Sequence, residues 1–130
     1  MKYVIPSYKR YEQLKLKTLR FLNSHQIKNE DIFIFVRVDD EELVNYHKLK
    51  EDKTHNYITE YFEENEFICE IDDDLIDIVD KDKNSIVSLE EEIEQMTNIM
   101  NNENINYCGL YSVNNSMFMN QSNHFTTDLR

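Results

Sequence analysis

Three consecutive aspartates, Asp72, Asp73 and Asp74, close an apolar run in the segment EFICEIDDDL at residues 66–75. Carboxylates delivered to the tip of a strand can grip a divalent cation, and a cation can hold a diphosphate. Magnesium and manganese take hard oxygen ligands, often one or two carboxylates with substrate phosphates completing the shell. The chain carries 26 Asp plus Glu in 130 residues, so some acidic triplets arise by composition alone, and a solvated turn accounts for this one more readily than a metal site when it is taken by itself. Two further segments bear on the choice. YVIPSYKR, residues 3–10, is a strand running into a loop with a proline, a hydroxyl, an aromatic ring and two cations. Tyr8 can stack a base there, and Arg10 can be offered to phosphate. Thr54-His55-Asn56 opens a predicted helix just before the acidic strand, and a helix N-terminus favours anions.

A second acidic pattern competes with the first. Asp80, Asp82, Asn84 and Glu91 stand at positions 1, 3, 5 and 12 of an EF-hand-like calcium loop over 80–91. Ser85 replaces the glycine that the sharp turn needs, and the preceding FICEI has a β rather than a helical pattern. A polar turn followed by a capped helix accounts for the same residues. Other chemistries lack their residues. No histidine pair has the His-x-x-x-His spacing of a zinc site, and no Gly-x-Ser-x-Gly elbow occurs. Gly109 is the sole glycine, which excludes a Gly-rich phosphate loop.

The elements that must position these groups follow from the hydrophobic pattern. Residues 2–5 form a strand that stops at Pro6-Ser7. The stretch 11–24 reads as an amphipathic helix with Leu14, Leu16, Thr18, Leu19, Phe21 and Leu22 on its apolar stripe. IFIFV within 31–38 is a continuous apolar run and predicts a buried strand. A helix over 41–50, a charged link over 50–53 and a helix from Thr54 to Phe62 come next. The strand 67–71 then delivers the aspartates. A polar turn over 80–85 separates two apolar stretches. Ser88 caps a helix running to Asn101, with Glu90, Glu91 and Glu92 in the first turn, where the macrodipole favours anions. Strands are predicted over 105–111 and 113–119. This alternation predicts one α/β domain over 1–130, with a mainly parallel sheet and helices on both faces. Ligands in such sheets sit at the carboxyl ends of the strands, where Pro6-Ser7 and the aspartates both fall.

Composition narrows the partners. A 40% hydrophobic content with 12% aromatics predicts a folded chain. The net charge of −12 makes a general nucleic-acid binder a poor fit, since such binding needs Lys and Arg against phosphates. Lys9, Arg10, Lys15, Lys17 and Arg20 nevertheless form a local basic cluster. Cys69 and Cys108 read as buried small hydrophobes, which predicts a reducing, cytoplasmic setting, and no apolar run predicts a membrane span.

Together, VIPSYKR, the helix start at Asn56 and the aspartates that follow in THNYITEYFEENEFICEIDDDL resemble the nucleotide-sugar glycosyltransferases of the GT-A type. The tail CGLYSVNNSMFM…TTDLR resembles the branch found with DNA-base-modifying oxygenases and their large-DNA-virus and phage relatives. The resemblance implies the Rossmann-like half of a GT-A fold, and for a viral protein the host cytoplasm. It implies that Asp72 and Asp74 coordinate Mn2+ or Mg2+ and act in catalysis, and that Asp73 touches the donor. Pro6, Ser7, Tyr8, Arg10 and Asn56 would line or brace the nucleotide site, with a UDP-sugar as the expected donor. The acceptor would be a hydroxyl, and a DNA-base acceptor rests on the analogy alone. Two departures stand out: the family's strand before the Asn-bearing helix has no counterpart in the pattern, and His55 replaces the usual Arg. The acceptor part is also expected to be missing. The resemblance therefore leaves two alternatives to a working transferase, an inactive fragment acting as a binding module and, third, the calcium loop at 80–91.

Overall fold

The computed structural model describes residues 1–37, 50–51, 58, 60–80 and 85–110. The chain divides into two compact units, Met1–Ile78 and Val79–Arg130. In the first unit, β1 (Lys2–Pro6), β2 (Ile32–Val36), β3 (Lys50–Glu51) and β4 (Ile68–Glu70) form one sheet in the order β3-β2-β1-β4. All of its ladders are parallel. A small parallel sheet with helices is compatible with the α/β class that the alternating pattern predicts. Lys50 and Glu51 correct one expectation. Their charge marks them as a link, yet they pair with Phe35 and Val36 as a short strand. At a sheet edge a strand needs only a neighbour's backbone groups, so a polar dipeptide can qualify. The predicted helix over 41–50 therefore cannot include Lys50, and 41–49 lies outside the described residues, as do His55 and Asn56.

Register sorts the side chains onto two faces. Val4 aligns with Phe33, and Ile5 with Ile34. Val4, Phe33, Phe35 and Ile68 share one face, where Ile58, Tyr61 and Phe62 pack against them. The rings meet edge to face, with Phe35 and Tyr61 centroids 5.5 Å apart and Phe33 and Phe62 5.3 Å apart. Tyr3, Ile5, Ile34 and Val36 lie on the opposite face and are also buried. Burial on both faces explains why IFIFV is continuously apolar rather than alternating.

Between β1 and β2 the chain is helical throughout 11–24, as α1 (Tyr11–Leu14), a π-helical turn (Lys15–Leu19) and α2 (Arg20–Ser24). Leu14, Thr18, Phe21 and Leu22 are its buried side chains. Leu16, expected on the stripe, is 61% exposed. Two residues advance the helix by roughly 200°, so Leu16 points away from Leu14.

Gln26 ends this helix in a left-handed conformation, with φ 60°. The Ile27 N–H donates to the Leu22 carbonyl and the Gln26 N–H to the Asn23 carbonyl, which is the Schellman closure. Glycine normally fills this position because a Cβ is penalised there. Gln26→Gly is expected to raise stability by about 0.5–1 kcal/mol in urea unfolding. An unchanged or lower midpoint would count against this assignment.

In the second unit, β5 (Val79–Asp80) and β6 (Ser85–Ile86) pair antiparallel, Asp80 with Ser85 and Val79 with Ile86. α3 (Leu89–Glu103) follows, its Glu91 N–H donating to the Ser88 hydroxyl at 3.5 Å. Asn104 closes it at φ 52°. The helix capped by Ser88 agrees with the pattern, whereas most of the polar turn expected over 80–85 lies outside the described residues. The expected strand over 105–111 does not appear in its described part, 105–110, and Tyr107 is 74% exposed there. An apolar run becomes a strand only where another strand accepts its backbone, and none does so among the described residues. The second predicted strand, over 113–119, lies outside them.

Candidate functional site

Strand order places the aspartates. The chain builds outward from β1 to β2 and β3, then returns to the other side of β1 with β4. The reversal at β1 and β4 is a topological switch point, where parallel sheets open a crevice at their carboxyl ends. The Ser7 N–H donates to the Phe35 carbonyl at 2.9 Å and the Ile71 N–H to the Val4 carbonyl at 2.8 Å. These bonds carry the ladders past the strand ends and fix both loops at one edge.

Asp73 is the anchor. It is only 4% exposed, and both its oxygens are engaged. Ser7 Oγ donates to Oδ2 at 2.7 Å, and Arg10 Nη1 meets Oδ1 at 2.7 Å. Arg10 Nη2 also reaches Asp74 Oδ2 at 2.8 Å, and Gln13 Oε1 accepts from Arg10 Nε and Nη2. The hydrogen bond to Asp74, and then the charge of Asp73, raise the Arg10 pKa above its already high ordinary value. Ser7, expected at the nucleotide, thus turns its hydroxyl to Asp73. Asp73, expected at the donor, holds the two loops together.

The turn that carries the acids is held from the helix. Thr18, wholly buried, donates its hydroxyl to the Asp72 carbonyl at 2.7 Å and accepts from the Leu75 N–H at 2.9 Å. Asp72 and Leu75 are the first and fourth residues of that turn, so the hydroxyl stands where a direct turn hydrogen bond would close it. Threonine in a helix usually bonds its own backbone four residues back, as Thr97 does with Ile93 at 2.8 Å. Thr18 lies in the π-helical turn and bonds another segment instead. π turns recur at functional sites.

Asp72 and Asp74 have exposed side chains at this turn. Two exposed carboxylates at the carboxyl end of a strand fit the donor set of a magnesium or manganese ion whose shell is completed by phosphate. Among the described residues no group of three His, Cys, Asp or Glu side chains gathers to hold a metal on its own. One arginine faces three aspartates, so the locus is net negative and suits a cation.

Tyr8 is 38% exposed at the same edge, and its ring is approached by Lys9 Nζ at 5.0 Å and by the Arg37 guanidinium carbon at 4.9 Å. Arg37, Gln13 and Thr18 were not singled out from the sequence as site residues. A polar residue inside an apolar helix stripe was the signal for Thr18, and a cation directly after a buried strand was the signal for Arg37.

The calcium-loop alternative meets a geometric obstacle. An EF-hand loop is entered from a helix, but the chain over 75–78 is not helical and Val79–Asp80 is a strand. Cys69 and Cys108 are free and half-buried rather than buried. Desolvation pushes the Cys69 thiol up to about 11, which keeps it protonated at neutral pH and unsuited to nucleophilic work. An open concavity lined by Lys2, Phe33, Phe62 and Glu66 lies at the opposite, amino-terminal edge of the strands. No helix among the described residues is long and apolar enough to cross a membrane. Comparison with family models, curated proteins and solved structures finds no match.

Proposed function

We propose that this chain carries the donor-binding part of a metal-dependent, GT-A-like glycosyltransferase that takes a nucleoside-diphosphate sugar. The observation that carries the reading is the placement of Asp72 and Asp74 at the carboxyl end of β4, next to the loop after β1 at a switch point. Asp72 and Asp74 would hold Mn2+ or Mg2+, which when bound supplies Lewis-acid stabilisation of the departing diphosphate. Ser7 and Asp73 hold the β1 and β4 loops together, and Thr18 holds the shape of the acidic turn. A UDP-sugar is the proposed donor, and a hydroxyl the proposed acceptor.

A second reading, nucleotide binding without sugar transfer, is favoured by one feature. Arg10 already neutralises part of the acidic cluster and competes for Asp74. Calorimetric titration with UDP and UDP-glucose, in manganese and then in EDTA, separates the readings. The transferase reading expects UDP-glucose binding to tighten at least tenfold with manganese, with the gain lost in Asp72→Ala and in Asp74→Ala. Binding that ignores both manganese and these substitutions would sink it and leave the second reading.

A further inference from the structure

Arg10 touches two members of the acidic triplet, and its two ion pairs are unlike. Nη1 meets Asp73 Oδ1 at 2.7 Å, where the carboxylate is 5% exposed and also accepts from Ser7 Oγ. Nη2 meets Asp74 Oδ2 at 2.8 Å, where both side chains are 43% exposed. Water screens the second pair, and exposed pairs of this kind hold weakly. Breaking the first would leave a buried charge uncompensated, which costs far more. A competitor for these contacts therefore opens the Asp74 arm first.

Two further contacts keep the guanidinium at the site when that arm opens. Gln13 Oε1 accepts from Nε at 3.1 Å and from Nη2 at 2.6 Å. The Leu14 N–H donates to the Arg10 carbonyl at 2.9 Å, which fixes the Arg10 backbone at the start of α1 and leaves the side chain to shift. A positive charge thus stands against the same carboxylate that the metal-dependent reading gives to a cation. A guanidinium and a divalent ion oppose each other at Asp74 whichever of its oxygens the ion takes, since both oxygens share one carbon. The hydrogen bond to Asp74 does most to raise the Arg10 pKa, the charge of Asp73 comes next, and Asp72 adds to it. Arg10 therefore lies in the field of all three acids.

We propose that Arg10 is the internal counter-ion of the acidic turn: it holds Asp74 while no metal is bound and yields that carboxylate to a divalent cation, retained meanwhile by Asp73 and Gln13. This deepens the metal-dependent reading and rests on it for Asp72 and Asp74 as the cation's ligands. The contact lowers the affinity of the turn for a metal alone. It also keeps an arginine beside the cation's place, with an Nη2 N–H released for an anionic oxygen such as that of a phosphate.

The test is manganese titration of the full chain without nucleotide, read by the electron paramagnetic resonance of the free ion. Arg10→Gln is expected to bind manganese about fivefold or more tightly than wild type, because the opposing charge and the competing contact are both gone. The same variant is expected to melt at a lower temperature in EDTA, because Asp73 loses a partner. Gain of metal affinity with loss of stability is the signature, since a residue that only shapes the turn would lose both together. Arg10→Lys keeps a charge for Asp73 but has no fork to span both carboxylates, so it should show a smaller gain. It serves as the test if Arg10→Gln does not fold. Lys28→Ala removes an exposed positive charge elsewhere in the unit and should change little. Manganese binding that is unchanged or weaker in the folded Arg10 variants would overturn the inference and leave the metal-dependent reading standing. An equal gain in Lys28→Ala would do the same, by showing a general charge effect. Manganese binding by neither wild type nor the folded variants would overturn both.

Discussion

Asp73→Ala is expected to lower folding stability by about 2–4 kcal/mol, while Asp72→Ala stays within about 0.5 kcal/mol of wild type. The two residues are neighbours in one acidic triplet, and composition treats them alike. Their surroundings do not. Asp73 is buried and accepts from Ser7 at 2.7 Å and from Arg10 at 2.7 Å, whereas the Asp72 side chain is exposed. Removing the Asp73 carboxylate leaves a buried hydroxyl without its acceptor and a guanidinium without one of its two carboxylate partners. Arg10 is itself partly exposed, so water recovers some of the loss, which keeps the figure below that of a fully buried ion pair. Asp73→Asn, which retains an acceptor for Ser7 but not the charge, should fall between the two. Urea unfolding of the three variants checks the order. An Asp73→Ala variant as stable as Asp72→Ala would show that the buried pair contributes nothing net. The contrast also guides the functional test: a binding defect in Asp72→Ala speaks to the site, whereas the same defect in Asp73→Ala speaks first to the fold.

Thr18→Val should cost about 1–3 kcal/mol and, under the proposed function, also loosen manganese binding at the acidic turn, while Thr18→Ser restores part of both. Valine keeps the shape of threonine, so packing at this buried position is nearly conserved and the change isolates the hydroxyl. Without it, the Asp72 carbonyl and the Leu75 N–H lose the group that bridges them. They must then remain unpaired or draw together, and either outcome moves the turn on which Asp72 and Asp74 stand. Serine keeps the oxygen and gives up only a methyl group, at a cost of about 1 kcal/mol. Thermal melting reads the stability effect, and manganese titration reads the second. A Thr18→Val chain that loses stability yet binds manganese as wild type would show that Thr18 serves the core alone.

Much of the frame was legible in the chain. The run IFIFV reads as a buried strand, because it is short, ends at Arg37 and leaves an exposed strand no polar face. The stripe through Leu14, Phe21 and Leu22 is a helical repeat, and Ser88 followed by three glutamates is a helix start. These are local patterns, decided by the 3.6-residue and two-residue periods and by caps, so a single sequence contains them. The carboxyl-end placement of Pro6-Ser7 and the aspartates also follows once the sheet is taken as parallel.

What the pattern could not contain was the assignment of partners. Which aspartate is structural and which is exposed depends on Ser7 and Arg10 arriving beside Asp73 from more than sixty positions away. Strand order brings them together, and no local period encodes strand order. The same holds for Lys50–Glu51, whose strand character comes from the open edge of β2 rather than from its own charged side chains. It holds equally for Thr18, which looks like an ordinary helical threonine until the acidic turn meets its hydroxyl. Arg10 and Arg37 make the point most directly. Each is a cation next to a strand end, and only the packing of the loops commits one to the aspartates and sets the other on Tyr8. Charge and spacing determined what chemistry this edge of the sheet could hold, and contacts across the fold decided which residue performs each part, because pairing energies depend on distances that the chain acquires only when folded.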